Sequence, residues 1–206
     1  GAPRRGVHAP RAPGEEPFLK MELTYRGKPT TISTHLVGDY NADNVMAALS
    51  IAEYFDVSYY DTINAIESYV PSNSRSQLVK TQRNTLIIDA YNANPSSMRA
   101  ALDNFAGTGF TGKTLMLGDM LELGEDSAAE HRAILQRALE VADRVYLVGG
   151  EFGQAAENVQ CEAGRVLAFP DITALRDYVA EHPVDGATIL IKGSNGNHMQ
   201  EVVPAL

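Results

Sequence analysis

The sequence is poor in cysteine, in long apolar runs and in basic clusters, and each shortage excludes a class of protein. Cys161 is the only cysteine, so no disulfide can form within the chain, which fits a reducing compartment. No stretch approaches the roughly 18 consecutive apolar residues of a membrane-spanning helix. The opening segment GAPRRGVHAPRAPGEEP lacks the apolar run that marks a signal peptide. We therefore expect a cytoplasmic protein.

The balance of charge excludes further partners. The 206 residues include 17 Lys and Arg against 26 Asp and Glu, a net charge of −9. Because nucleic acids and anionic membrane surfaces require a basic face, and no Lys/Arg run is present, we expect neither as a partner. A hydrophobic content of 44% is nevertheless enough for a substantial core in one or two domains.

The first part of the chain gives two segments of different character. Residues 1–17 are dense in Pro, Gly and Arg and begin without Met, and we expect a linker or disordered segment without chemistry. Residues 18–80 predict a hairpin (FLKMELTY and TTISTHLV around RGKP), two helices and the strand SQLVKTQR. Two strands and two helices make a thin core, so we expect this segment to be the tail of a larger α/β domain.

Apolar periodicity locates the two helices of that segment. The first is predicted from about Asn41 to Phe55, and the second from Ser58, where Ser58 and Asp61 resemble a capping box, until Pro71. Their predicted apolar stripes are Val45, Ala48, Leu49 and Ala52 in the first helix, and Ile63, Ile66 and Val70 in the second.

From Thr85 onward, short apolar strands alternate with amphipathic helices. The strands are TLIID, TLMLG, RVYLVG, RVLAF and TILIKG, and a last helix is predicted through Val202. Five such steps with continuously apolar strands predict a Rossmann-like parallel sheet covered on both faces, an α/β fold. We place the domain boundary near residues 80–84, so that residues 84–206 form a complete second domain.

One motif in this domain imitates a nucleotide site. Residues 107–114 read GTGFTGKT, which satisfies the P-loop pattern G-x-x-x-x-G-K-[ST]. A P-loop needs a strand before it and a helix after it, so that helix N-terminal amides face the phosphates. Here the predicted order is reversed. We interpret the motif as a plain turn, with Lys113 at the sheet edge opposite the usual ligand crevice.

Polar loops follow four of the predicted strands, at residues 89–95, 119–124, 149–150 and 194–197. In an open parallel sheet, ligands bind beyond the carboxyl ends of the strands, so these loops should share one rim. They contain carboxylates, amides and a hydroxyl, but no Cys/His metal cluster and no Ser–His–Asp order. That composition favours recognition of a polar ligand by hydrogen bonds. Asp119 and Glu122 could be no more than solvated charges, and we expect His131 to be structural.

These loops also carry a resemblance to a known family. IIDAYNANPSSM, LGDMLELG followed by Ser127 and His131, and IKGS resemble three blocks of the Mur ligases. Upstream, GDYNADNVMAALSIAEYF resembles the family block G-x-H-N-x-x-N-x-x-A-A, and Asn73-Ser74-Arg75 lies where the family carries its arginine. The resemblance covers about residues 18–206. YNANP with LGDMxELG is specific to the members that add D-alanyl-D-alanine.

The resemblance implies an ATP-dependent amide ligase that adds D-alanyl-D-alanine to UDP-N-acetylmuramoyl-tripeptide in peptidoglycan synthesis, acting as a monomer. Residues 18–80 would then be the C-terminal part of the central ATP-binding domain. The family's P-loop and the residues that bind Mg²⁺ lie upstream of the segments found in this chain. The resemblance therefore implies no catalytic and no metal-binding residue within it, and we expect the chain alone to be inactive.

The resemblance also assigns residues to two sites. Asn41, Asn44, Arg75 and Asp89 would contact the nucleotide, and Tyr91, Asn92, Asn94, Ser194 and Asn195 would contact the substrate. Simpler roles stay open for several of them: a helix cap for Asn41, Asn94 and Ser194, and a solvated charge for Arg75. If Ser194 begins a helix, its amides could hold the carboxylate of the dipeptide. Tyr40 and Asn195 depart from the family, which usually carries His and Arg at these positions.

Three alternative functions stay open at this stage. The chain could belong to a sister Mur ligase or a folylpolyglutamate-type ligase, although YNANP argues against both. It could be a nonenzymatic module that binds a nucleotide or a peptide. If the GTGFTGKT loop did bind phosphate, it could be a small kinase.

Overall fold

The computed structural model describes residues 17–72, 74–157 and 159–206. The chain folds into two compact units, Gly1–Pro71 and Ser72–Leu206. The linker predicted for residues 1–17 lies, apart from Pro17, outside the described residues. Among the described residues, no helix is both long and apolar enough to cross a membrane.

The first unit is a hairpin covered by two helices. Strands β1 (Phe18–Tyr25) and β2 (Lys28–Val37) pair antiparallel around Arg26 and Gly27, whose φ angles of 49° and 75° are those of a tight hairpin turn. Helices α1 (Ala42–Tyr54) and α2 (Tyr59–Ser68) follow. Residues of β1 alternate between buried and exposed, as a strand with one covered face requires. The core consists of Leu19, Met21, Leu23, Tyr25, Ile32, Ala42, Val45 and Leu49.

Both helices of the first unit form where predicted, but their apolar stripes differ. In α1, Val45 and Leu49 are buried, whereas Ala48 is exposed. Helix α2 ends at Ser68, so Val70 lies beyond it and is 61% exposed. The predicted start of α2 is confirmed, since the Ser58 hydroxyl accepts a hydrogen bond from the Asp61 amide at 3.1 Å.

The second unit is a six-stranded sheet with helices on both faces, which confirms the α/β fold. The strands are β3 (Gln77–Lys80), β4 (Thr85–Asp89), β5 (Lys113–Gly118), β6 (Arg144–Val148), β7 (Val166–Phe169) and β8 (Thr188–Lys192). The helices are α3 (Pro95–Ala106), α4 (Ser127–Val141), α5 (Gly150–Glu157) and α6 (Ile172–Glu181). The sheet order is β3-β4-β8-β5-β6-β7, and every strand is parallel except β3, which pairs antiparallel with β4.

The strand order fixes where a ligand crevice can open. From β4 to β7 the chain moves across the sheet in one direction, and it then returns to place β8 between β4 and β5. Since such crossovers are right-handed, α3, α4 and α5 pack on one face, and α6 packs on the other with the C-terminal segment. In open α/β sheets, ligands bind beyond the carboxyl ends of the strands, at the point where the strand order reverses. The loops after β4, β5 and β8 are therefore the candidate rim.

The segment predicted as the last α-helix does not form one. The chain instead forms two 3-10 helices, Asn195–Asn197 and Met199–Ala205, separated by His198 in the left-handed region at φ 51°. The left-handed residue breaks any continuous α-helix here. Pro204 lacks the amide that an α-helix would need at that position and disfavours α geometry before it. Met199 and Val202 still pack into the core, which explains the apolar pattern.

Candidate functional site

An ion pair joins the carboxyl ends of two neighbouring strands. Asp89 ends β4, Lys192 ends β8, and the two residues are register partners. The Lys192 ammonium lies 2.7 Å from Asp89 Oδ2 and also donates a hydrogen bond to the Asn92 carbonyl at 3.2 Å. The Lys192 side chain is 2% exposed and that of Asp89 14%. A lysine this deeply buried needs a compensating charge. Asp89 therefore has a structural role as the counter-charge of Lys192.

Sequence reasoning missed Lys192 as a site residue. The available signal was its position as the one charged residue of the strand TILIK, whose five residues are all buried. A Lys in such a strand requires a nearby acid, and Asp89 at the end of another apolar strand was the candidate.

Ser194 connects three segments of the rim. It is 5% exposed, and its hydroxyl accepts a hydrogen bond from the Leu121 amide at 3.1 Å. The same hydroxyl donates to the Ala93 carbonyl at 3.4 Å. It makes no capping hydrogen bond to the 3-10 helix that follows, so the predicted helix cap is wrong. A three-residue 3-10 helix also lacks the aligned amides of an α-helix, which removes the physical basis for the expected anion site.

Of the other predicted substrate residues, one caps a helix and three are exposed. The Asn94 side chain accepts a hydrogen bond from the Ser97 amide at 2.8 Å, and Ser97 Oγ accepts one from the Asn94 amide at 3.1 Å. This capping box confirms the structural role foreseen for Asn94. Asn92 and Asn195 are exposed, and so is Tyr91, at 48%.

Arg75 lies against the ring of Tyr91. The guanidinium carbon is 3.5 Å from the ring centroid, and both residues belong to the second unit. Asn73, the neighbour in the predicted Asn73-Ser74-Arg75 motif, lies outside the described residues. The structure thus brings one predicted nucleotide residue into contact with one predicted substrate residue.

Asn41 and Asn44 belong to the first unit and contact each other. Asn44 Nδ2 donates to Asn41 Oδ1 at 3.0 Å, and Asn41 Nδ2 donates to the Val37 carbonyl at 2.8 Å. Asn41 precedes α1 but makes no side-chain capping hydrogen bond, so that simpler role is wrong. The Tyr40 ring lies over Gly38, whose φ of 99° and absent Cβ make room for it.

A second buried polar group orders the loop after β5. Asp119 is 6% exposed, and its two carboxylate oxygens accept hydrogen bonds from the amides of Glu151 and Phe152 at 3.0 and 2.9 Å. These amides begin α5, where a negative charge is stabilising. A Cβ on Gly149 would come within 2.2 Å of the carboxylate, so only glycine fits there. Asp119 is not a solvated charge, whereas Glu122 is exposed.

His131 fixes the same loop from α4. It is fully buried, and its Nε2 lies 3.0 Å from the Met120 amide, which can only donate. Nε2 must therefore accept, and the ring proton on Nδ1 donates to the Ser127 carbonyl at 2.8 Å. This arrangement requires the neutral imidazole and confirms the structural role predicted for His131.

The P-loop-like segment lies at the opposite end of the sheet. Lys113 begins β5, and its ammonium donates to the carbonyls of Ala106 and Thr108, both at 2.9 Å. Burial lowers the pKa of Lys113, and the nearby Asp143 opposes that shift. The lysine thus completes the C-terminus of α3 and does not face a phosphate site, which confirms the interpretation as a plain turn.

The acidic and histidine side chains of the rim are too dispersed to form a metal site. Across residues 17–72, 74–157 and 159–206, no group of three or more His, Cys, Asp or Glu side chains is placed to hold a metal ion. Asp89, the carboxylate expected nearest a nucleotide, is paired with Lys192.

The chain is similar to known ligases. Residues 74–195 match the family described as Mur ligase, glutamate ligase domain. The UDP-N-acetylmuramoyl-tripeptide–D-alanyl-D-alanine ligase of Bacillus subtilis (strain 168) is 33% identical over 191 residues, covering 89% of this chain and 41% of the relative. The ligase of the same name from Escherichia coli (strain K12) is 34% identical over 182 residues, covering 83% and 38%. The chain thus spans about two fifths of the length of the curated relatives it matches.

Solved structures agree in fold. A crystal structure of MurF from Acinetobacter baumannii superposes with a TM-score of 0.79 at 25% identity, covering 91% of this chain and 42% of that one. MurF ligase from Thermotoga maritima in complex with ADP gives a TM-score of 0.77 at 19% identity and covers all of this chain and 46% of that one.

Proposed function

Because this chain belongs to the Mur ligase family, we propose that it is the C-terminal part of an ATP-dependent ligase that joins D-alanyl-D-alanine to a UDP-N-acetylmuramoyl-tripeptide. The observation that carries the proposal is the rim at the carboxyl ends of β4, β5 and β8. There the Ser194 hydroxyl forms hydrogen bonds with both YNANP and LGDMLELG, the segments typical of members that add D-alanyl-D-alanine. The similarity to relatives of that name supports the choice of substrates.

The reaction forms one amide bond at the expense of ATP. The terminal carboxylate of the tripeptide attacks the γ-phosphorus of ATP, which gives an acyl phosphate and releases ADP. The amine of D-alanyl-D-alanine attacks the acyl carbon, and the tetrahedral intermediate collapses to the amide and phosphate. This chain contributes by positioning, since holding the amine against the acyl carbon can lower the barrier by several kcal/mol.

The described residues do not form a Mg²⁺ site, because Asp89 is paired with Lys192 and no acidic cluster accompanies it. We therefore assign the binding of the ATP phosphates and Mg²⁺ mainly to parts of the ligase outside this chain. The predicted domain limits, 18–80 for the end of the ATP-binding domain and 84–206 for the C-terminal domain, belong to the same proposal, with one change. Because β3 (Gln77–Lys80) pairs with β4 and lies in the second unit, the boundary moves to Pro71/Ser72. Proposed nucleotide contacts are Asn41, Asn44, Arg75 and Asp89, the last acting through its pair with Lys192.

The dipeptide is proposed to bind along the exposed part of the rim. Asn92 and Asn195 present amide groups there, and amides can donate to a carboxylate as well as accept from an ammonium. Ser194 and Asn94 act by fixing the loops, since their side chains are engaged within the protein.

The test is ligation by a complete enzyme that contains this chain together with the upstream parts its relatives possess. Release of ADP should require both the tripeptide nucleotide and D-alanyl-D-alanine, and mass spectrometry should find the pentapeptide product. L-alanyl-L-alanine and free D-glutamate serve as control substrates. ADP release that depends on a single amino acid, or that needs no dipeptide, would refute the proposal.

The 206-residue chain alone is the second arm of that test. We expect no ATP hydrolysis from it. Turnover by the purified chain that disappears in a Lys113→Ala variant would instead establish the GTGFTGKT segment as a phosphate site and favour a kinase.

A further inference from the structure

Arg75 and Tyr91 form a stacked pair beside the rim. The Arg75 guanidinium carbon is 3.5 Å from the Tyr91 ring centroid, a van der Waals contact over the ring face. Tyr91 as a residue is 48% exposed, and Arg75 is exposed as well. The pair is therefore accessible from solvent and is not part of the core.

The backbone around Arg75 is fixed in an unusual conformation. Ser74 and Ser76, on either side of it, both have positive φ angles, 57° and 51°. Such angles are uncommon for residues with a side chain and persist where surrounding contacts determine them. Here the Ala90 amide donates to the Ser74 carbonyl at 2.8 Å, and Ser76 is 4% exposed. Ala90 directly precedes Tyr91, so the same contact places the arginine beside the ring.

Stacking leaves the charge of Arg75 available. The N–H donors of a guanidinium lie in its own plane, so contact of its face with a ring does not use them. They remain able to donate hydrogen bonds to an anion. In the part of the chain that the structure describes, no carboxylate forms a salt bridge with Arg75. The arginines that do pair with a carboxylate in the described part of the chain are Arg83, Arg99, Arg137 and Arg176.

We propose that Tyr91 is a positioning residue that holds the Arg75 guanidinium in place for an anionic group of the nucleotide. The inference rests on the proposed ligase function and changes one assignment within it. Tyr91, which the sequence places with the dipeptide contacts, acts through Arg75 on the nucleotide. The phenol hydroxyl is dispensable for this purpose, because the ring face alone attracts the cation.

The stacking itself is tested on the 206-residue chain by NMR. A proton over an aromatic face is shifted upfield, so the Arg75 Nε–H signal, identified by its loss in Arg75→Lys, should lie upfield of the other arginine signals. Tyr91→Phe should keep that shift and Tyr91→Leu should abolish it. An Arg75 signal at the ordinary arginine position in the parent chain would overturn the inference.

The role is tested by kinetics in the complete ligase. Tyr91→Leu should raise the KM for ATP about two- to fivefold, the range expected for one lost cation–π contact at an exposed site. It should leave the KM for D-alanyl-D-alanine unchanged, and Tyr91→Phe should behave like the parent. In an Arg75→Ala background, Tyr91→Leu should have no further effect, because the two residues then act as one unit. The control is Arg176→Ala, at an arginine of α6 whose side chain is 43% exposed, and it should change neither KM.

The outcomes separate the two proposals. Parent enzyme without ATP-dependent ligation would refute the proposed function, and this inference with it. Active parent enzyme in which Tyr91→Leu raises only the KM for the dipeptide, or in which Tyr91→Leu and Arg75→Ala are additive, would overturn the inference and leave the ligase function intact.

Discussion

Removing the negative charge of Asp89 should destabilise the second unit strongly. In Asp89→Asn the Lys192 ammonium, 2% exposed, would keep one carbonyl partner, that of Asn92, but lose its counter-charge. At an effective dielectric constant of about 20, charges 2.7 Å apart attract by about 6 kcal/mol before desolvation is counted. Breaking one side of a buried pair typically costs about 3–5 kcal/mol, so we expect a loss of about 3 kcal/mol or more.

Removing the lysine of the pair should lower the stability less than removing the aspartate. In Lys192→Met the remaining carboxylate is 14% exposed and can reach water, so we expect a loss of about 1–2 kcal/mol. The double variant Asp89→Asn/Lys192→Met should recover most of the loss seen with Asp89→Asn, because no uncompensated charge remains. The three variants thus form a double-mutant cycle with a large coupling term.

The assay must report on the second unit alone. Hydrogen exchange at the amides of β4 and β8, followed by NMR, measures the free energy of opening this sheet independently of the first unit. A loss under about 1 kcal/mol for Asp89→Asn, or additive effects in the double variant, would refute the view that Asp89 compensates a buried charge.

Three further predictions follow from other contacts. Lys113→Met should lower the stability of the second unit by about 1–2 kcal/mol by removing the hydrogen bonds to the Ala106 and Thr108 carbonyls, without changing the ligase's KM for ATP; a raised KM would contradict the structural role. Ser194→Ala should lower the stability of the second unit by about 1–2 kcal/mol. Asn195→Ala should raise only the KM for the dipeptide, about three- to tenfold. Equal losses of stability in the two variants would argue against a structural role for Ser194 and a ligand-binding role for Asn195. Amides of β1 and β2 should exchange faster than those of β4 and β8, because the small first core leaves Tyr54 and Phe55 83% and 71% exposed; equal protection would contradict this.

Much of the second unit could be predicted from the sequence because each strand is a short apolar run between polar loops. TLIID matches β4 residue for residue, and the predicted helix at Pro95 begins there with the expected Asn94 cap. Strand order is different. The placement of β8 between β4 and β5 depends on packing across the sheet, and no local pattern encodes it. The same applies to β3, whose partner is chosen by the free edge of β4.

The final helix shows why periodicity can mislead. Met199, Val202 and Leu206 follow a spacing that an α-helix would also produce, yet a left-handed His198 and Pro204 make the segment 3-10. The expected anion site depended on that helix and was lost with it. Arg75 and Tyr91 are 16 positions apart, and their contact depends on two positive φ angles and one backbone hydrogen bond. None of these can be read from residue types.

The rim is built in two layers, and this explains why exposure, more than residue type, separates the roles of its polar residues. The inner layer consists of Lys192 with Asp89, of Ser194 and of Asp119, all engaged with groups of the protein. Its members fix three loops relative to one another, so substitutions there should change stability first. The outer layer consists of Asn92, Asn195 and the Arg75 guanidinium held on the Tyr91 ring; it is exposed and therefore able to meet a ligand. A site that must align an amine with an acyl carbon gains from this arrangement, because loops fixed from below present their exposed groups in one geometry.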